Sequence, residues 1–383
     1  MDLSCSGVPP ILPEKIVGKS QQFQALDNFF QVFAINPGER VLLLSDHLLD
    51  PGVAQALQGL CLARGAELNV FTASHTRLPA VPEEVKPLLR KAQFVISTWF
   101  CSIEDPFNVA LRLEGQRWVK ITYFRDLDLL NTPQARFPLE LLGEIIRATE
   151  KRFPTGQDFC LHFSDARGTD LSIPYSAAMR DSMFSSNRWR GKMRADEPGC
   201  YVHYLPTHGP NLWDSTAMRL SSNKRLAING VLYPQIAIGF DKPFSERIAV
   251  VFNDCIVTEV RGESAEAVVL REMLIGGKLI EGGGCGFNPK APRMCIYPAG
   301  SNAAGALHFG IELCRPSEWI LQHLPDWEEP PIHQDLVVFD ATVKAGSNSI
   351  IEKGFLCALR DPEVLTLAKS FGNPVSLLES PVD

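Results

Sequence analysis

Between residues 38 and 150 apolar runs and amphipathic stretches alternate at a spacing that few folds accommodate. Residues 40–45 (RVLLLS) form a short continuous apolar run ending at polar Asp46 and His47, and a helical pattern over 53–64 follows and stops at Gly65. Such a run reads as a strand buried on both faces, and a glycine past the last periodic residue reads as a helix stop. Residues 67–72 (ELNVFT), 93–98 (QFVIST) and 118–124 (WVKITYF) repeat the strand signal, and 137–152 reads as an amphipathic helix. Strands alternating with helices are joined by crossovers, so the expectation is a doubly wound, mainly parallel α/β sheet covered on both faces. The carboxyl ends of strands in such sheets border the ligand crevice, which makes Asp46, His47, Trp99 and Cys101 candidates for lining a pocket. No G-x-G-x-x-G and no Walker loop follows the first strand, which argues against a nucleotide cradle.

After Thr155 the texture changes. Residues 159–163 (FCLHF) and 171–175 (LSIPY) flank a turn at 166–170, and residues 248–252 and 256–261 flank Asn253-Asp254, so both pairs read as β-hairpins. A helix over 264–275 begins at a capping Ser264, and 335–339 reads as another strand. The expected organisation is an N-terminal α/β domain over 1–154 followed by a C-terminal α+β metal-binding domain over 155–383.

Charge narrows the partners. The 383 residues are 45% hydrophobic and 21% charged with a formal net charge of -7, and no stretch concentrates Lys and Arg. Nucleic acid and anionic membrane surfaces are therefore poor partners, and a small neutral or cationic ligand fits better. The N-terminus carries Asp2 and early prolines in place of a basic region and an apolar run, and nowhere do about 18 uninterrupted apolar residues appear. A cytoplasmic protein without a membrane span is expected. The ten cysteines include no C-x-x-C pair, so they read as reduced, mostly buried side chains.

The chemistry-bearing residues lie in the last third. His333-Gln334-Asp335 opens an apolar run, and the period of two in a strand puts His333 and Asp335 on one face. Glu281 heads the glycine-rich stretch 281–289, read as a loop in which the chain can wrap closely around a ligand. His308 lies in the apolar stretch 305–311. Two imidazoles and a carboxylate can occupy one face of a divalent cation and leave other positions open, as in hydrolytic zinc and non-heme iron sites. His203, in the stretch 195–204, is a candidate general acid or base, because imidazole titrates near neutral pH.

The order of these stretches resembles the superfamily that joins the aminopeptidase T type metallopeptidases with 2,5-dihydroxypyridine 5,6-dioxygenase. The resemblance is carried by ADEPG-x-x-x-H (195–203), SERIAVVFNDCIVTEVRG (245–262), GGGCGFNPKA (282–291), GALHFG (305–310) and HQDLVV (333–338). The peptidase branch implies ligands at Glu281, His308, His333 and Asp335. A further glutamate of that branch, expected near 200–204, is absent, and Arg315 stands where a tyrosine is expected. The dioxygenase branch implies His333 and Asp335 as iron ligands and His203 in the substrate site, with its first-domain active-site histidine falling near Cys101. Both branches imply a homo-oligomer.

Two enzymatic expectations follow. The first is a mononuclear non-heme Fe(II) dioxygenase acting on a hydroxylated aromatic or N-heteroaromatic molecule. His308, His333 and Asp335 or Glu281 would hold the iron, His203 and Cys101 would serve the chemistry, dioxygen would be co-substrate, and Trp99, Tyr204 and Arg315 would contact the substrate. The alternative is a zinc or manganese metallo-aminopeptidase-like hydrolase of amide or peptide bonds, with Glu281 among the ligands. A further alternative is a ligand-binding relative without catalysis.

Overall fold

The computed structural model describes residues 28–47, 49–73, 81–99, 105–121, 132–186, 188–203, 208–214, 228–237, 239–293, 303–313 and 332–379. The first part runs β1 (Arg40–Asp46), α1 (Pro51–Ala63), β2 (Glu67–Ala73), α2 (Lys86–Lys91), β3 (Phe94–Ser97), α3 (Pro106–Leu113), β4 (Arg117–Lys120) and α4 (Leu139–Glu150). The chain continues through β5 (Phe159–Ser164), β6 (Asp170–Tyr175), α5 (Ala177–Phe184), β7 (Tyr201–His203), β8 (His208–Asp214), β9 (Asn229–Leu232) and β10 (Ile236–Ala237). It ends with β11 (Ala249–Asn253), β12 (Ile256–Arg261), α6 (Ala265–Leu274), β13 (Lys278–Gly286), β14 (Leu307–Leu313), β15 (Ile332–Val338), β16 (Thr342–Ala345), β17 (Asn348–Glu352), β18 (Phe355–Leu356), α7 (Pro362–Phe371) and α8 (Pro374–Leu378).

The expected parallel sheet is present, with strand order β2-β1-β3-β4-β7 and every pair parallel. Its helices start where the sequence provides caps: the Asp50 and Asp105 carboxylates accept from the backbone N–H groups of Gly52 and Phe107. Val41, Leu43, Phe94, Ile96 and Val119 pack on one face, and Leu42, Leu44, Val95 and Trp118 on the other. That explains why these strands read as continuous apolar runs.

The second layer is a 13-stranded, antiparallel-paired sheet in which β10-β15-β14-β13-β12 lie side by side and β8 also pairs with β13. Both expected hairpins are there, as β5–β6 and β11–β12. The large core on one face of this sheet takes Leu307, Phe309, Ile311 and Leu313 of β14 and Leu336 and Val338 of β15. The two halves of the sequence interleave. Helix α4 gives Leu141, Leu142, Ile145 and Ile146 to the large core, while β7 joins β4 at the edge of the parallel sheet.

No helix among the described residues is long and apolar enough to cross a membrane.

Candidate metal centre

Strand β14 alternates cleanly. Its odd-numbered residues face the large core, which sends His308, Gly310 and Glu312 to the opposite face. The register with β15 pairs Gly310 with Asp335 and Glu312 with His333, and the register with β13 pairs Gly310 with Glu281. Residues directly opposite each other share a face. Gly310 thus stands between two carboxylate-bearing residues, with His308 two residues back on the same face.

One ligand atom from each of Glu281, His308 and Asp335 falls within 4.8 Å of the others. His308 Nε2 is 3.7 Å from Glu281 Oε2. His308 and Asp335 are buried, at 4% and 2% exposure, whereas the Glu281 side chain is 26% exposed. The opening of the site is therefore on the Glu281 side.

The stretch 281–289, read from sequence as a loop, forms most of strand β13 instead. Its glycines serve the strand by letting it bulge: pairing with β14 slips by one residue between Gly282 and Gly284, and Gly283 at the slip has φ +65. Such a bulge with glycine in the left-handed region re-aims the residues after it. The slip brings Gly284 opposite His308, where a Cβ would meet the imidazole Nε2 at 2.0 Å. The space over Gly284 is filled by the His308 ring, so the absence of a side chain there sets where His308 Nε2 points.

This donor set suits a divalent cation. Two carboxylates converging beside a buried imidazole repel one another, and burial adds a desolvation cost that a cation offsets. Oxygen and imidazole nitrogen together suit zinc, manganese or iron.

The other expected residues are placed as follows. His333 occupies β15 two residues before Asp335, and His203 ends β7 with Lys120 opposite it on β4; for both histidines the backbone position alone is described. Trp99 is fully buried against the parallel sheet, its indole N–H donating to the Ser45 carbonyl at 2.9 Å and its ring edge-on to Phe71. Cys101, Tyr204 and Arg315 lie outside the described residues. The contribution of Gly284 was missed by the sequence reading, because a residue that acts by having no side chain is visible only once its cross-strand neighbour is known.

These features define a class: a carboxylate–imidazole cluster that could hold a cation, on the face of an antiparallel sheet turned away from the large core. No protein-family model matches the chain, and no curated protein matches it. Among solved structures it is similar to wild-type AmpT from Thermus thermophilus, at 14% identity and a TM-score of 0.46, over 88% of this chain and 99% of that one.

Proposed function

We propose that the protein is a divalent-metal-dependent hydrolase of amide or peptide bonds, with Glu281, His308 and Asp335 holding the cation and His333 joining them from β15. The observation that carries this reading is the position of Glu281, whose carboxylate lies 3.7 Å from the His308 imidazole. Of the two branches the sequence resembles, the peptidase pattern alone puts a carboxylate ligand at this position. An added carboxylate also occupies coordination space that an iron dioxygenase keeps open for substrate and dioxygen together. This geometry moves the balance from the oxygenase expectation to the hydrolase.

When bound, the cation supplies Lewis acidity to the scissile carbonyl and lowers the pKa of water. Asp335 and His308, both buried, provide the fixed part of the frame. Glu281, on the open side, takes the proton of the attacking water on a carboxylate oxygen and returns it to the departing amine.

Elemental analysis of protein purified without chelators, combined with assays of amino-acid amides in air and under argon, tests the reading. Stoichiometric zinc or manganese and hydrolysis that is indifferent to dioxygen are expected. In addition, His308→Ala and Asp335→Ala should each abolish stoichiometric metal binding. Iron in the purified protein, with turnover that stops under argon, would return the assignment to an oxygenase.

A further inference from the structure

A strand at the end of a sheet leaves a row of backbone N–H and C=O groups open to another chain, and folded proteins blunt such edges. Among the described residues three of the four sheet ends are blunt by length: β7 is three residues long, and β10 and β18 are two each. Strand β8, which pairs outside the main strand order, carries Pro210 and is buried over 209–213. The fourth end, β2, is different. It runs seven residues in unbroken parallel register with β1, contains no lysine or proline, and has no second partner among the described residues.

The side chains of β2 mark the same edge. Leu68 packs on the core that α1 covers, and the period of two puts Val70 and Thr72 on that face. Val70 is 56% exposed there, and Leu62, in the last turn of α1 over the same face, is 71% exposed. A long edge that shows apolar side chains and no charge guard is a pairing surface.

The sequence of the strand selects its partner. Antiparallel pairing of β2 with its own copy, about a twofold axis through Val70, sets Val70 against Val70, Leu68 against Thr72, Asn69 against Phe71 and Glu67 against Ala73. Glu67, the one ionisable residue of the strand, therefore meets no like charge. Its carboxylate accepts from Asn69 Nδ2 at 3.1 Å, and Arg40 is its register partner on β1. The axis stands perpendicular to the sheet, so the α1 helices of both copies lie on one face with the two Val70 side chains between them. In a chain of net charge -7 this seam is a neutral strip where copies approach with little repulsion.

We propose that β2 is a dimerisation edge, through which two copies of the chain join their five-stranded parallel sheets into one continuous sheet across a twofold axis. The likeness of motifs implies a homo-oligomer but no surface for it, and the proposal stands or falls separately from the hydrolase reading. A seam of seven residues spans about 23 Å, at the small end for specific interfaces, so a dissociation constant of roughly 1–100 µM is expected.

Sedimentation velocity on the full-length chain, from about 1 to about 200 µM, should show an equilibrium between monomer and dimer. Val70→Lys sets two ammonium groups against each other across the axis, and should weaken the dimer roughly tenfold or more with the urea midpoint unchanged. Val70→Cys should form a disulfide-linked dimer on mild oxidation, because directly opposed residues lie about 4.5–5.5 Å apart between Cα atoms, within disulfide reach. The unmodified chain and Leu113→Cys, at an 85% exposed position on α3, should not. A monomer at every concentration overturns the proposal; protection of the outward-facing β2 amides from hydrogen exchange in that monomer would give the edge to another segment of the same chain. A dimer of full strength in Val70→Lys shows that the copies meet elsewhere, and equal linkage of both cysteine variants shows collision without a seam; either result overturns it too.

Discussion

Gly284 controls His308 by absence. The imidazole occupies the volume that a side chain at position 284 would take, and the backbone there is not in the left-handed region, so alanine is admissible for the chain but not for the ring. Gly284→Ala should therefore fold, at a destabilisation of about 1–3 kcal/mol from overpacking. The displaced ring should cost roughly 10–100-fold in zinc affinity, the range found when groups that orient a ligand are altered. Competition with a chromogenic chelator reads the affinity, and urea unfolding reads the stability. Unaltered affinity would remove His308 from the ligand set. The cysteines were read from sequence as mostly buried, and among the described ones Cys61, Cys200, Cys255 and Cys357 are buried while Cys160 is exposed. Burial pushes the Cys61 thiol up to about 11, with Glu39 adding to the effect, and burial likewise raises Cys200 and Cys357.

At the scale of elements, α6 shows how a helix start depends on a residue distant in sequence. Ser264 caps the helix through its hydroxyl, and the Glu246 carboxylate accepts from the backbone N–H groups of Glu263 and Ser264, which holds Glu246 below the usual carboxylate range. A depressed carboxylate pKa gives stability that is present above the unfolded-state value and lost as pH falls through the folded one. Glu246→Gln should thus flatten the fall in stability on acidification below about pH 5, where carboxylates titrate. Urea midpoints of both proteins at neutral and acid pH measure it; identical slopes would show that the cap has no part in acid unfolding. Elements of this kind were largely legible in the sequence. Strands β1 to β4 and the β5–β6 and β11–β12 hairpins lie where apolar runs and turn residues put them, because each is specified by its own period. Strand β7 was not legible, since three residues carry no period and Tyr201–His203 becomes a strand only by docking on β4. The site divided the same way. The likeness of motifs suggested His308, His333, Asp335 and Glu281, but the bulge that sets Gly284 opposite His308 is a property of pairing between strands.

For the whole molecule, the central question is whether two sheets with separate cores unfold separately. The chain path argues that they do not, since β7 joins the parallel sheet only after β5 and β6 have joined the larger one, and that return is fastened by Arg117. Its side chain and that of Glu39 are each 7% exposed and form an ion pair, and the guanidinium also donates to the carbonyls of Ala34 and Ala195 and covers the Phe94 ring. One buried cation thereby holds the helical residues near Ala34, the start of β1, and the segment that leads into β7 after the chain has passed through β5, β6 and α5. From the other side, α4 carries its apolar face into the large core, and Asn288 of the segment after β13 donates to the Gln134 carbonyl at 3.0 Å. Separating the layers would withdraw the apolar face of α4 from the large core and break the Asn288–Gln134 hydrogen bond. Arg117→Ala should cost about 3–5 kcal/mol, the usual result of removing one member of a buried pair, which is a large share of the roughly 5–15 kcal/mol that holds a folded protein together. If the layers are coupled as this geometry requires, calorimetry should show one transition that moves to lower temperature as a unit. Loss of zinc and loss of near-ultraviolet ellipticity should coincide with it. Two resolved transitions, with only one displaced by Arg117→Ala, would show instead that the parallel sheet folds and melts independently of the sheet that carries Glu281, His308 and Asp335.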